Sequence, residues 1–131
     1  MATRSVIGIE NSDGTISAIY CHWDGYVSGV GKSLIIGFCS RAMTEALIAH
    51  GDVSSLGSDL VSTRFYHRDK GERLSKPRRV KGAAGLNAFM GDCGAGYAYY
   101  LTRRGKWKFS SGDGFQYLEP AVKKECKSTV N

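Results

Sequence analysis

Three groups of residues in this chain have the types and spacing to do chemistry. The densest is Tyr20-Cys21-His22-Trp23-Asp24-Gly25-Tyr26, which sets a thiol, an imidazole and a carboxylate among three aromatic rings. A thiol beside an imidazole that a carboxylate orients is the arrangement of a nucleophilic site. Neighbours on one strand point to opposite faces, however, so Cys21 and His22 cannot easily pair with each other. A catalytic set here needs a partner from elsewhere, such as His50, His67 or Asp69. The competing role is structural: Tyr20 and Trp23 fill the core, while His22 and Asp24 bond the backbone or Asp24 caps the helix that follows. The structural role is the expectation, with Trp23 buried between the first hairpin and the next helix. His22, Trp23, Asp24 and Tyr26 remain a possible binding pocket.

The second group, Ser28-Gly29-Val30-Gly31-Lys32-Ser33, has the look of a phosphate loop. Such a loop needs Gly, four residues, then Gly-Lys-Ser/Thr, so that its backbone N–H groups converge on the phosphates. Counting back from Gly31, the required first Gly falls on Tyr26, and Gly25 is one residue too far. The match is a decoy, and no cofactor is expected. Nor do Cys21, His22, Cys39 and Cys93 follow a metal-ligand rhythm, so no metal is expected.

The third group is basic. Arg68 and Lys76-Pro77-Arg78-Arg79-Val80-Lys81 form one cluster, and Arg103-Arg104-Gly105-Lys106-Trp107-Lys108 another. Cations follow phosphates, and an aromatic ring among them can stack on a base, the role expected for Trp107 if it is not half-buried core. Residues 1–63 carry three basic and six acidic side chains; residues 64–131 carry fifteen and six, which gives −3 and +9 and sums to the net +6. A basic half attracts a polyanion: nucleic acid, a nucleotide or an acidic protein face.

The elements that must hold these groups are legible in part. Val6–Ile9 and Ile16–Tyr20 are β-rich runs joined by Asn11-Ser12-Asp13-Gly14, a hairpin signature. The second strand is apolar on both faces, so it is expected inside the sheet. Val27, Val30, Leu34 and Phe38 recur at helical spacing, with Gly29 and Gly31 calling for close packing or a frayed first turn. Ser40 is a good N-cap for a second helix with Met43, Ala46, Leu47 and His50 on one face, and Gly51 can end it. An ordered turn over 52–57 and a strand over 61–66 follow. The charged stretch 67–82 reads as a mobile loop, and 83–90 as a short helix. Residues 97–102 and 106–110 form a second hairpin. The stretch 115–122 adds an edge segment, and 123–131 is expected to fray.

This pattern predicts one α+β domain over 1–131, with a mostly antiparallel sheet built from an N-terminal and a C-terminal hairpin and two or three helices on one face. No apolar run nears the roughly 18 residues of a membrane span, and the polar N-terminus argues against a secretory signal. Cys21, Cys39, Cys93 and Cys126 lack a C-x-x-C pair. Reduced thiols in a cytosol are the expectation.

The lead-in RSVIGIENSDGTISAIYCHWDGY, with VGKSL and LIAHGDVSSLG after it, resembles a family of small phage and prophage proteins of unsettled activity. The likeness covers the first half of the chain well, and the glycine-rich stretch 82–96 departs from the family pattern. The resemblance implies a small accessory protein acting in the host cytoplasm without catalysis. Its partner would be a host defence protein, a ribonucleoprotein complex or nucleic acid, as for inhibitors of bacterial immunity such as anti-CRISPR proteins. The alternatives are a small enzyme or nucleotide-sequestering protein centred on His22-Trp23-Asp24, and a DNA-binding phage regulator. The regulator is disfavoured because no helix-turn-helix carries the basic residues.

Overall fold

The first hairpin forms where local chemistry dictates. Strand β1 (Ser5–Glu10) pairs antiparallel with β2 (Ile16–Cys21), in register from Ser5 opposite Cys21 to Glu10 opposite Ile16. In the turn, Gly14 takes a φ of +87°, and the Asp13 carboxylate accepts from the Thr15 N–H at 3.0 Å and its hydroxyl at 2.6 Å. A side chain that bonds its own backbone two residues on stabilises such a turn. The computed structural model describes the backbone of residues 2–128 and the side chains of 2–125.

After β2 a π-helical turn, Val27–Gly31, runs into α1 (Lys32–Gly37). Then come α2 (Arg41–Ala49), β3 (Val53–Ser55), β4 (Arg64–Phe65), α3 (Tyr66–Lys70), β5 (Arg78–Val80) and α4 (Gly82–Asp92). The chain ends with β6 (Tyr97–Leu101), β7 (Trp107–Ser110), β8 (Gln116–Tyr117) and α5 (Leu118–Ser128). The sheet order is β4-β3-β2-β1-β6-β7-β8, with β5 also paired to β2. The pairs β1/β6 and β2/β3 are parallel and the others antiparallel, so the α+β reading and the mostly antiparallel sheet hold.

Both faces of the sheet are covered, in contrast to the single covered face expected. On one side Ile7, Ile19, Tyr99 and Leu101 pack against Val30, Leu34, Phe38, Leu47 and Leu118 from the π-helical turn, α1, α2 and α5. On the other, Val6, Ile16, Ala18 and Tyr100 pack against Leu86 and Met90 of α4. The two-sided apolar pattern of β2 requires this: each face needs its own cover.

Several predicted details hold. Val27, Val30, Leu34 and Phe38 are all buried along one helical face. Ser40 caps α2 by accepting from the Met43 N–H at 3.2 Å, and Gly51 ends it at φ +78°. The glycines of the decoy phosphate loop have a packing role. A Cβ at Gly29 would run into the Asp24 carbonyl oxygen, and one at Gly31 would sit 3.1 Å from the Leu118 side chain. Those residues form a packed helical turn rather than an open anion loop.

Other details differ. Buried Thr44, Leu47 and Ile48 define the inner face of α2, while Met43 is exposed. The turn expected over 52–57 contains β3, which extends the sheet beside Cys21. The strand expected over 61–66 shrinks to Arg64–Phe65, and Val61 is almost fully exposed. The predicted mobile loop holds α3 and β5: Arg78, Arg79 and Val80 lie opposite Ala18, Ser17 and Ile16. Backbone pairing with β2 overrides the like-charge run there. The expected edge segment over 115–122 is the short strand β8 followed at once by α5. The fraying expected for 123–131 is not seen up to Ser128, since α5 is continuous to that point, and 129–131 lie outside the described residues.

Candidate functional site

Strand register puts the first residue group and most of the third at opposite ends of the sheet. At one end lie Ser5, Cys21 and Tyr97, from which β2 leads into His22-Trp23-Asp24. At the other lie Glu10, Ile16, Val80, Leu101 and Trp107, together with the turns 11–15 and 102–106.

The aromatic end is built by backbone hydrogen bonds. The His22 and Trp23 N–H groups donate to the carbonyls of Val53 and Ser54, both at 3.0 Å, and the Gly25 N–H donates to the Thr3 carbonyl at 2.8 Å. The buried Tyr99 hydroxyl donates to the Gly25 carbonyl at 2.6 Å. Asp24 sits at φ +57°, a left-handed conformation that Asp tolerates better than most residues, and its carboxylate accepts from the Tyr26 hydroxyl at 3.0 Å. Asp24 is thus a turn residue rather than a helix cap; its backbone carbonyl accepts from the Val30 N–H at 2.8 Å.

The consequence for Trp23 is a correction. Trp23 is 45% exposed and Tyr26 40%, because the pinned turn carries them past the end of the sheet. Trp23 meets the His22 ring edge-on at 4.7 Å instead of entering the core. His22 Nδ1 lies 2.6 Å from the Tyr20 hydroxyl on the opposite face from Cys21. Cys21 is fully buried, with Sγ 3.6 Å from the Trp23 carbonyl oxygen, and burial pushes its thiol pKa up to about 12. A thiol so protonated is a poor nucleophile. Burial also raises the Tyr20 hydroxyl, against the opposing charge of nearby Arg4, and raises the Cys93 thiol. His67 bonds the Glu72 carbonyl and Asp69 bonds Arg68 and the Phe65 N–H, so neither completes a set with Cys21. Among the described residues, no group of three or more His, Cys, Asp or Glu side chains is placed to hold a metal ion.

At the opposite end, cations from three separate stretches converge on the β1–β2 turn. Arg79 donates to the Asp13 carboxylate at 3.1 Å and to the Thr15 hydroxyl at 3.0 Å. Thr15 holds the Asp13 carboxyl below the usual carboxylate range, with Arg79 adding to the effect. Arg103 donates to the Ser12 carbonyl at 3.2 Å and lies 3.7 Å from the Glu10 carboxylate. Arg41, at the start of α2, donates to the Glu10 carbonyl at 2.7 Å and pairs with Glu45 at 3.2 Å. Lys81 follows β5 beside Gly82, where a Cβ would come within 3.8 Å of the Gly14 carbonyl oxygen. Arg104 and Lys106 occupy the adjoining 102–106 turn, whose Gly105 takes φ +81°.

The predicted basic residues therefore divide. Arg79 and Arg103 anchor the hairpin tip. Lys81, Arg104 and Lys106 are exposed and form no ion pair among the described residues. Arg78, the first residue of β5, stands over the Phe89 ring, 5.1 Å from its centroid, and 3.7 Å from the Asp92 carboxylate. Arg68 is occupied at the β4 edge by Asp69 and the carbonyls of Leu60 and Thr63. Lys76 is exposed in the segment before β5. Lys108 lies over the Tyr117 ring, 5.0 Å from its centroid.

Trp107 is 4% exposed, and its indole N–H donates to the Phe38 carbonyl at 2.9 Å. Its ring belongs to the core and offers no open face for stacking from the strand surface. Arg41 was not legible as a member of this end: only the fold brings the start of α2 to Glu10. Comparison with protein families, with curated proteins and with solved structures finds no match for this chain. No helix among the described residues is long and apolar enough to cross a membrane.

Proposed function

We propose that this chain is a small, non-enzymatic binding protein that grips the phosphates of a nucleic acid, free or carried in a host complex, with its cationic end. One observation carries the reading: Arg41, Arg79, Lys81, Arg103, Arg104 and Lys106 gather at one end of the sheet, where Glu10, Asp13 and Glu45 offset only half of their charge. The anchored arginines hold the tip rigid, and the unpaired cations face solvent beside it. A rigid set of cations loses little freedom on binding and releases counterions from the polyanion.

The phage resemblance adds a setting, the host cytoplasm, and a consequence, inhibition of a host defence complex. A second reading, recognition of a host protein through the opposite end, is favoured by the exposure of Trp23 and Tyr26 on a pinned turn. Large aromatic side chains held in place are common anchors of protein interfaces. An enzymatic role draws no support from Cys21, whose thiol is buried and protonated.

Affinity capture from a bacterial lysate, with and without nuclease, separates the readings. The cationic-end reading expects co-purifying nucleic acid, and any protein it carries, to be lost on nuclease treatment and on Lys81/Arg104/Lys106 neutralisation. Protein capture that survives both, and is lost in Trp23→Ala, would transfer the function to the aromatic end.

A further inference from the structure

The cationic turn at 102–106 borders a cavity of about 480 Å³ whose lining includes Gly105 and Lys106. Its walls are largely apolar: Ile35 and Cys39 from the end of α1 and its exit, Trp107 from β7, and Pro120 from the first turn of α5. Lys106 and Glu119 are the charged side chains on this lining. The volume lies in the range of sites that hold a small organic molecule, where apolar walls give affinity and a few polar groups set orientation.

The arrangement is asymmetric in a way that selects a ligand. A purely apolar ligand would leave the neighbouring cations unused. A bare phosphate would leave the apolar walls wet. Glu119 is offset by Lys123, 3.6 Å away, so the carboxylate does not cancel the cationic rim. Its oxygens can also accept from an exocyclic amino group. The complement is a flat, apolar ring carrying a phosphate.

Resting on the cationic-end reading above, we infer that this cavity takes the base of a nucleotide unit while Lys106 and Arg104 hold its phosphate. The unit has two possible sources: a free 5′-mononucleotide, or a base splayed from a single strand. Trp107 serves as wall, not as stacking platform, since its ring is buried. The cavity opens at the far end of the sheet from Trp23, so the site is independent of the aromatic end.

Anisotropy titrations with labelled strands test this directly. A short single-stranded oligonucleotide is compared with an abasic strand of equal length, which presents the same phosphates without bases. The base-bearing strand should bind on the order of tenfold more tightly, the effect of one base held against apolar or aromatic groups. Cys39→Phe, which fills the cavity from an exposed position, should remove that difference while leaving abasic binding unchanged; Cys39→Ser should keep it. Competition by a 5′-mononucleotide but not by ribose 5-phosphate identifies a free nucleotide as a source, and competition by strands alone identifies a splayed base.

Equal binding of abasic and base-bearing strands, both weakened by Lys81/Arg104/Lys106 neutralisation, would overturn the cavity assignment and leave the cationic end standing. Failure of every strand and of the mononucleotide to bind would overturn both. The strand comparison uses the unaltered chain, so it decides the matter even if Cys39→Phe does not fold.

Discussion

The two ends of this sheet were assembled in opposite ways. The aromatic end is one continuous stretch, Tyr20 to Tyr26, displayed by a turn whose backbone bonds to Thr3, Val53, Ser54 and Tyr99. The cationic end is composite: β5, the β6–β7 turn and the start of α2 meet around Asn11–Gly14. A dense local motif is visible in a sequence but silent about exposure. A composite site is almost invisible until strand order is known. The comparison separates chemical richness from functional placement: the stretch with most reactive groups has its thiol sealed in the core, and the plain lysines and arginines face solvent together.

The largest contrast lies between two thiols. With its thiol near pKa 12, Cys21 is roughly one part in a thousand ionised at pH 9, and it is buried as well. Alkylation at pH 9 followed by peptide mass analysis should label exposed Cys39 rapidly and leave Cys21 unlabelled over the same time. Comparable labelling would reopen a nucleophilic role at the aromatic end. Cys21→Ser should correspondingly leave binding unchanged.

The two tryptophans come next. Trp107→Ala removes a buried indole and its hydrogen bond to the Phe38 carbonyl, which keeps only the Thr44 hydroxyl, so urea unfolding should show a loss of about 3–5 kcal/mol. Trp23→Ala should cost less than about 1 kcal/mol, because its ring is half in solvent already. Equal losses would erase the distinction between a core ring and a displayed one. Between these lies Asp24→Ala, expected to cost about 1 kcal/mol because alanine tolerates the left-handed backbone less well and lacks the acceptor for Tyr26. Asp24→Gly should be milder, since glycine adopts that conformation freely.

Where periodicity and turn chemistry were local, the sequence was readable. The two hairpins, the Val27–Phe38 face, the Ser40 cap and the Gly51 stop all follow from spacing and side-chain type. The readings failed where long-range pairing decided the outcome. Val53–Ser55 is a strand because Cys21 lies beside it, and Arg78–Val80 because the exposed edge of β2 needs a partner. The parallel contact of β1 with β6, which joins the two hairpins into one sheet, has no signature in either strand. Trp23 was misplaced for a similar reason: strand alternation puts it on the Cys21 face, but the sheet ends at Cys21 and the ring meets His22 outside the core. For the candidate site, residue type singles out the basic clusters, while the division into anchoring Arg79 and Arg103 and unpaired Lys81, Arg104 and Lys106 is set by the fold.

If the unpaired cations at the hairpin tip bind phosphates, binding must weaken with salt in proportion to the contacts they make. Binding of a single-stranded oligonucleotide would be measured from low to moderate salt for the unaltered chain and for Lys81→Gln/Arg104→Gln/Lys106→Gln. Exposed charges contribute little to folding, so the variant should melt within a few degrees of the parent. The variant should bind more weakly, with a log–log salt slope flatter by roughly 0.7 for each phosphate no longer neutralised, about 2 for all three. Unchanged affinity and unchanged slope in the folded variant, at low and high salt alike, would contradict it.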